Sequence, residues 1–250
     1  MTVPSQKPPA QYDHIGKTYN CVEQLPASTL LERFVQSQIG NVCDLSVLEL
    51  ACGTGYYSRK LLEWGAKEVI GVDISSAMVE NARTQSQGDA RLQFLVADCS
   101  QPLQQGQSDL ILASWLLNYA SNSDELLTMW RNIFNNLKPG SRFVGVLPNY
   151  RLLEPPMRPV VDAGDYRYGG VGITVLDHDN ETSGTRVQTT FHTATPVNFT
   201  SYMLPKSSHE KCAKLAGMQS LRWVEAEPSM DRGSLQPVFQ IVTAERPQLN

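Results

Sequence analysis

The stretch Ser46-Val47-Leu48-Glu49-Leu50-Ala51-Cys52-Gly53-Thr54-Gly55-Tyr56-Tyr57-Ser58 constrains this chain more than any other. Val47 to Leu50 reads as a short, mostly apolar strand, Gly53-Thr54-Gly55 as a tight turn, and Tyr56 onward as a helix. Glycine belongs where a backbone must bend sharply or approach a ligand with no Cβ in the way. A helix that begins at such a turn offers unpaired N–H groups to an anion. Strand, glycine turn and helix in that order predict a nucleotide-type binding turn.

The segments after it repeat the pattern. Glu68 to Asp73 reads as a second strand ending in a carboxylate, followed by a helix that Ser75 or Ser76 caps and that carries Met78, Val79 and Ala82. Arg91 to Ala97 is a third strand that ends at Asp98, and Asp109 to Ala113 a fourth. Asp124 to Leu137 has helical periodicity, with Lys138-Pro139-Gly140 as its stop, and Arg142 to Leu147 is a fifth strand. Strands alternating with helices predict βαβ units and a parallel sheet.

Both flanks differ from this core. Pro26 to Ile39 places Leu30, Leu31, Phe34, Val35 and Ile39 on one helical face, ahead of the first strand, so residues 1–44 read as an N-terminal cap. Within the cap, Tyr12 and Tyr19 either pack under that helix or form an aromatic lid over a ligand. After the core (residues 45–147), residues 148–205 read as an insertion. It begins rich in Pro, Tyr, Arg and Gly, then alternates β-favouring and polar residues from Val171 to Thr200 around a turn at Glu181 to Gly184. That predicts an antiparallel hairpin or small added sheet. Residues 206–250 supply a last helix (Lys206 to Gly217) and two strands, Leu221 to Glu225 and Val238 to Ala244.

At 250 residues the chain suits one α/β domain with an insertion. Its net charge of −4 includes no basic stripe, which argues against a nucleic-acid partner. No apolar run approaches the ~18 residues of a spanning helix, and the N-terminus lacks a signal peptide's apolar core. Five scattered cysteines, with no C-x-x-C spacing, suggest neither disulfides nor a zinc site, and no metal is expected. A reducing cytoplasm is the expected setting.

A dinucleotide fingerprint requires G-x-G-x-x-G. Here Gly53-x-Gly55-x-x-Ser58 lacks the third glycine, which makes a NAD enzyme unlikely. Three features point elsewhere: Glu49 inside the strand before the glycines, the strand-end carboxylate Asp98 in addition to Asp73, and Leu137-Lys138-Pro139-Gly140-Ser141 before the fifth strand. Together they resemble the class I S-adenosylmethionine (SAM) methyltransferases. That family's acidic-x-Gly-x-Gly-x-Gly motif is matched by Glu49-Leu50-Ala51-Cys52-Gly53-Thr54-Gly55, with Ala51 in place of the first glycine. The resemblance implies a Rossmann-like α/β sandwich, a mostly parallel seven-stranded sheet with the cap and inserted β segment, and SAM as cofactor with S-adenosylhomocysteine (SAH) as product. More finely, Tyr12-Asp13-His14-Ile15-Gly16, the Ala51 to Ser58 turn, Leu116-Leu117-Asn118-Tyr119-Ala120 with its Met129-Trp130-Arg131 helix, and Tyr168-Gly169 are similar to small-molecule methyltransferases of the toxoflavin synthase type. Those act on heteroaromatic intermediates.

In that resemblance Gly53 and Gly55 let the backbone approach the methionine part and the ribose. Asp73 accepts from the ribose hydroxyls. Asp98, with the Cys99 backbone N–H, meets the adenine edge, and Ile74 and Met78 sandwich its plane. Carbonyls near Ala51 and Ser114 take the ammonium group, Glu49 supports the loop or that ammonium, and Cys52 packs beside the site. Tyr19 and Trp115 complete the cofactor side. Tyr12, Asn118, Tyr119, Tyr150 and Tyr168, with Tyr166, are candidates for an aromatic-walled substrate pocket. Candidate general bases are His14 and His192, with His178, His209 and Asp13 behind them. The expected function is methyl transfer to a small aromatic or heteroaromatic metabolite in secondary metabolism, by a monomer or homodimer with no nucleic-acid or membrane partner. The alternative is a SAM-binding protein of the same fold that no longer methylates, such as a pericyclase or scaffold.

Overall fold

The structure is a computed structural model, and it describes residues 10–150, 169–177, 184–225 and 238–248. Two 3-10 segments, Gln11–Asp13 and Gly16–Gln24, lead into α1 (Pro26–Ile39). The alternating core follows: β1 (Ser46–Leu50), α2 (Tyr56–Glu63), β2 (Glu68–Asp73), α3 (Ser76–Gln85), β3 (Leu92–Val96) and β4 (Ser108–Ser114). A 3-10 turn at Leu117–Tyr119, α4 (Ser123–Asn136) and β5 (Leu137–Pro148) complete it. Three further strands, β6 (Val171–Asp177), β7 (Thr185–Phe191) and β8 (Val197–Met203), precede α5 (Lys206–Ala216), β9 (Gln219–Glu225) and β10 (Phe239–Glu245).

The main sheet has the order β3-β2-β1-β4-β5-β10-β9. β1 to β5 are parallel, while β10 runs antiparallel between β5 and β9. The chain reverses its direction of travel across the sheet between β1 and β4, and in open α/β sheets ligands bind where that happens, beyond the carboxyl ends of the strands. This is the Rossmann-like methyltransferase fold.

Both faces of the sheet are covered, and alternation along each strand divides the core. Val47, Leu110, Leu112, Val144 and Val146 pack with α1, α2 and the added strands. Leu48, Leu50, Ile111, Ala113 and Phe143 pack with Trp130 and Ile133 of α4 and Ala213 of α5. Period-2 alternation therefore puts Glu49 on the same face as Val47. The Ser46-to-Ser58 stretch folds as a strand, turn and helix because Gly53 (φ 53°) and Gly55 (φ 73°) occupy the left-handed region. A Cβ on Gly55 would lie 2.9 Å from the Phe94 ring and 3.0 Å from Ala82 Cβ, whereas one on Gly53 would enter open space.

One expectation needs correction. Lys138-Pro139-Gly140 does not simply stop a helix: α4 ends at Asn136, and β5 already begins at Leu137, paired with Ser108, before its register shifts toward Arg142. As expected, the inserted β segment forms a small antiparallel sheet, and it has three strands, β6-β7-β8. Residues 10–24 form the 3-10 segments.

Candidate active site at the carboxyl ends of the strands

A cavity of about 150 Å3 opens at the carboxyl ends of β1, β2 and β4. That is roughly ten times the ~10–15 Å3 that one water needs, so a small organic ligand fits the space. The Gly turn (Ala51 to Thr54), Glu49, Asp73 and Met78 line one side. Tyr12, Tyr19, Trp115, Tyr119, Phe191 and Phe199 line the other.

Asp73 is the central carboxylate. It is buried at the tip of β2, where its Oδ2 accepts from Gly53 N–H at 2.8 Å and its Oδ1 from Ser75 N–H at 2.9 Å. With up to four lone-pair positions in all, the carboxylate keeps acceptor capacity for a ligand. Burial raises its pKa, and the backbone N–H groups of Ser75 and Gly53 oppose that rise. Glu49 is 1% exposed and accepts a hydrogen bond from Ser58 Oγ of α2. Burial pushes its pKa up to about 8. It therefore supports the turn from beneath and is largely protonated at neutral pH. Burial also raises the Cys52 thiol, and it pushes Cys99 up to about 12, so both side chains stay protonated as small packing groups.

The ends of β1 and β4 carry backbone strain. Ala51 (φ 59°) and Trp115 (φ 65°) are non-glycine residues in the left-handed region, and both line the cavity. Such strain collects where surrounding structure holds a residue in place for function. Beside Trp115, Ser114 Oγ and Asn118 Oδ1 are buried with no hydrogen-bond partner. Two orphaned polar atoms in one cavity wall are costly unless a ligand satisfies them.

The aromatic wall is continuous. Tyr12 and Tyr119 share a hydroxyl–hydroxyl hydrogen bond, and the Tyr12 ring contacts Tyr19, Tyr119 and Phe199 at centroid distances of 5.8, 6.1 and 5.5 Å. Burial raises the pKa of all three phenols, so they remain neutral donors.

Several candidates fall elsewhere. Ile74, Gly55, Asp98 and Cys99 do not reach the cavity wall. Ile74 is 43% exposed beside Asp73, and Asp98 Oδ1 accepts from Ser100 N–H at 2.9 Å and Ser100 Oγ at 2.7 Å. Neither first-choice histidine lines the cavity. His14 is exposed in the N-terminal turn. His192 follows β7; its Nε2 is buried without a hydrogen-bond partner, but the residue is not part of the cavity lining. His209 is fully buried, and desolvation holds its pKa down at about 3. Its Nε2 pairs with Tyr150 Oη at 2.8 Å, which also removes Tyr150 from the cavity wall. Tyr166, Tyr168 and His178 lie outside the described residues.

The sequence alone does not single out Val171, Ile173, Thr189, Phe191 and Phe199, all of which line the cavity. The alternation Val187-x-Thr189-x-Phe191 and Val197-x-Phe199 is the signal that carries the last three. Among the described residues, no group of three or more His, Cys, Asp or Glu side chains could hold a metal, and no helix is long and apolar enough to cross a membrane.

Residues 47–140 match the family profile of the methyltransferase domain. Demethylmenaquinone methyltransferase of Lactococcus lactis is 33% identical over 112 residues, which are 43% of this chain and 43% of that protein. The chain thus spans less than half of that relative's length. Among solved structures, a SAM-dependent methyltransferase from Clostridium acetobutylicum superposes with a TM-score of 0.66 at 16% identity, over 95% of this chain and all of its own. DhpI, solved as its SAH complex, superposes with a TM-score of 0.58 at 19% identity over 96% of this chain and 94% of its own. Residues 47–140 thus match the methyltransferase domain, and the sheet that carries them has the fold of the SAM-dependent methyltransferases.

Proposed function

We propose that this protein is a SAM-dependent methyltransferase that methylates a small aromatic or heteroaromatic metabolite. The observation that carries this reading is one cavity in which a buried carboxylate and two orphaned polar atoms face a wall of aromatic rings.

The residues fit the cofactor. The remaining lone pairs of Asp73 suit a ribose diol, by charge-assisted hydrogen bonds. Ser114 Oγ and Asn118 Oδ1 suit the polar amino-acid end, and the missing Cβ of Gly53 leaves room for close approach. When bound, SAM supplies a sulfonium methyl for in-line transfer to a nucleophile.

This chain's own residues then position and exclude. Tyr12, Tyr119 and Phe199 give a planar acceptor flat surfaces to lie against and leave little room for water. Positioning in such a closed site supplies much of the barrier reduction. None of the described histidines lines the cavity, so the reading assigns no side-chain base, and it favours an acceptor atom that is already nucleophilic. A role in secondary metabolism, in the cytoplasm, is part of the same proposal.

The test combines titration calorimetry of SAM and SAH with transfer of radiolabelled methyl to a metabolite extract. Binding of both nucleosides with label in an aromatic product is expected. Failure to bind SAH would overturn the cofactor assignment. Binding without transfer to any extract would overturn the enzymatic one.

A further inference from the structure

The N-terminal strap, residues 10–24, lines the cavity through Tyr12, Tyr19, Val22 and Glu23, and packs Tyr12, Ile15, Tyr19 and Val22 against the core. Val22 is its one residue classed as buried among the described side chains. Polar contacts to three separate parts of the molecule hold it. Gln11 exchanges two hydrogen bonds with the Thr200 backbone of β8, at 2.9 and 3.0 Å. Glu23 Oε1 accepts from Thr54 Oγ1 of the Gly turn at 2.8 Å. Asn20 Oδ1 accepts from Asn81 Nδ2 of α3 at 2.9 Å. A segment whose rings are only partly buried, and whose other ties are polar bonds near the surface, belongs to the low-stability end of a fold.

Beside the Tyr12–Tyr119 hydroxyl bond and the Arg59–Glu23 ion pair, a further polar attachment is Asp13. Its Oδ1 accepts from Ser75 Oγ at 2.6 Å and from Ala77 N–H at 3.4 Å, and its Oδ2 accepts from Ala10 N–H at 3.0 Å. With both oxygens engaged, Asp13 is not placed to act as a base. Ser75 is itself shared. Its N–H donates to Asp73 Oδ1 at 2.9 Å, and its Oγ accepts from Met78 N–H at 3.2 Å as the cap of α3. A chain of hydrogen bonds therefore runs from Asp73 through Ser75 to Asp13. The neighbour of Asp13, Tyr12, forms part of the aromatic wall.

We propose that Asp13 is a positioning residue: it latches the strap to Ser75, the residue that orients Asp73, so that hold on the nucleoside and completion of the acceptor wall occur together. A nucleoside under the strap leaves only when this latch opens, and while it is open Tyr12 is not in place. The proposal rests on the cavity being the SAM site, but its central claim, that Asp13 fastens residues 10–24, is measurable without ligand.

The experiment uses the full chain, wild type beside Asp13→Ala and Asp13→Asn. Hydrogen exchange of residues 10–24 is followed without ligand and with SAH, and SAH dissociation is followed by stopped-flow tryptophan fluorescence. In Asp13→Ala, exchange across 10–24 and the SAH off-rate should each rise roughly tenfold or more, as expected for loss of a hydrogen bond to a charged group. Protection of β1 to β5 should stay unchanged. Asp13→Asn keeps an acceptor for Ser75 without the charge and should fall between, a grading that a merely structural role would not produce. Exchange in 10–24 within twofold of wild type in Asp13→Ala overturns the latch. Wild type that fails to bind SAH overturns the cofactor reading instead, while the ligand-free exchange still decides the latch.

Discussion

The two walls of the cavity are built by different means. Around the Gly turn, main-chain geometry does the placing: strand tips, the left-handed Gly53 and Gly55, and backbone N–H groups of Gly53 and Ser75 that aim the Asp73 carboxylate. In the aromatic wall, side-chain packing does it: rings from the strap, the turn after β4 and the added strands lean on one another. A backbone-built wall tolerates few changes and suits an invariant ligand. A packed wall can be re-cut one ring at a time, which suits the half of the site where substrates differ. Substitutions on the first wall should therefore disturb folding or nucleoside affinity, and those on the second should disturb acceptor use alone.

The largest contrast comes from Gly55→Ala. A left-handed alanine costs about 1–2 kcal/mol, and its Cβ meets Phe94 at 2.9 Å, an overpacking worth about 1–3 kcal/mol more. Denaturant unfolding should show a loss in that combined range; a loss below ~1 kcal/mol would mean the turn is not backbone-limited. Next comes Asp73→Ala, which should weaken SAM binding by at least ~1.5 kcal/mol in titration calorimetry. Unchanged affinity would count against the ribose contact. Tyr12→Phe removes the hydroxyl bond to Tyr119 and keeps the ring. It should raise the acceptor KM by about fivefold, for a bond worth ~1 kcal/mol, with SAM affinity unchanged. A shift in SAM affinity instead would merge the two walls into one.

The smallest effect is a proton. Burial raises the Glu49 pKa to about 8. A cationic ligand nearby favours the carboxylate, so binding releases a proton at neutral pH and SAM affinity rises as pH climbs from about 6 to 8. Calorimetry in buffers of different ionisation enthalpy reads that proton directly, and Glu49→Gln should abolish it. For folding the sign is opposite. The unfolded Glu49 ionises near its usual value while the folded one stays protonated, so its contribution to stability falls between roughly pH 4.5 and 8 and is constant above.

The same contrast governs how much of the molecule is legible in its sequence. The backbone-built wall is legible because its determinants are local: a strand, two glycines and the Asp73 carboxylate at the tip of β2. Each of the seven strands of the main sheet lies near the position that its residue pattern predicts, because apolar runs separated by amphipathic helices have few other solutions. The packed wall is legible only as residue types. Tyr12 and Tyr119 lie 107 positions apart and meet through their hydroxyls, a pairing no local pattern encodes. Tyr150, a pocket candidate by its aromatic character, instead completes a buried pair with His209 and edge contacts with Trp223. The strap has no such signature, because 3-10 segments have little periodicity and these are held in shape by contacts with distant residues.

The antiparallel insertion of β10 between β5 and β9 carries a consequence for synthesis. Phe239, Gln240, Ile241, Val242 and Ala244 are buried in the interior of the sheet, although they follow β9 in the chain. During translation, β5 must therefore wait with an open hydrogen-bonding edge for about a hundred residues, until its neighbour leaves the ribosome. A ribosome stalled before Phe239 would expose a long apolar edge to solvent, and such nascent chains are natural clients for chaperones.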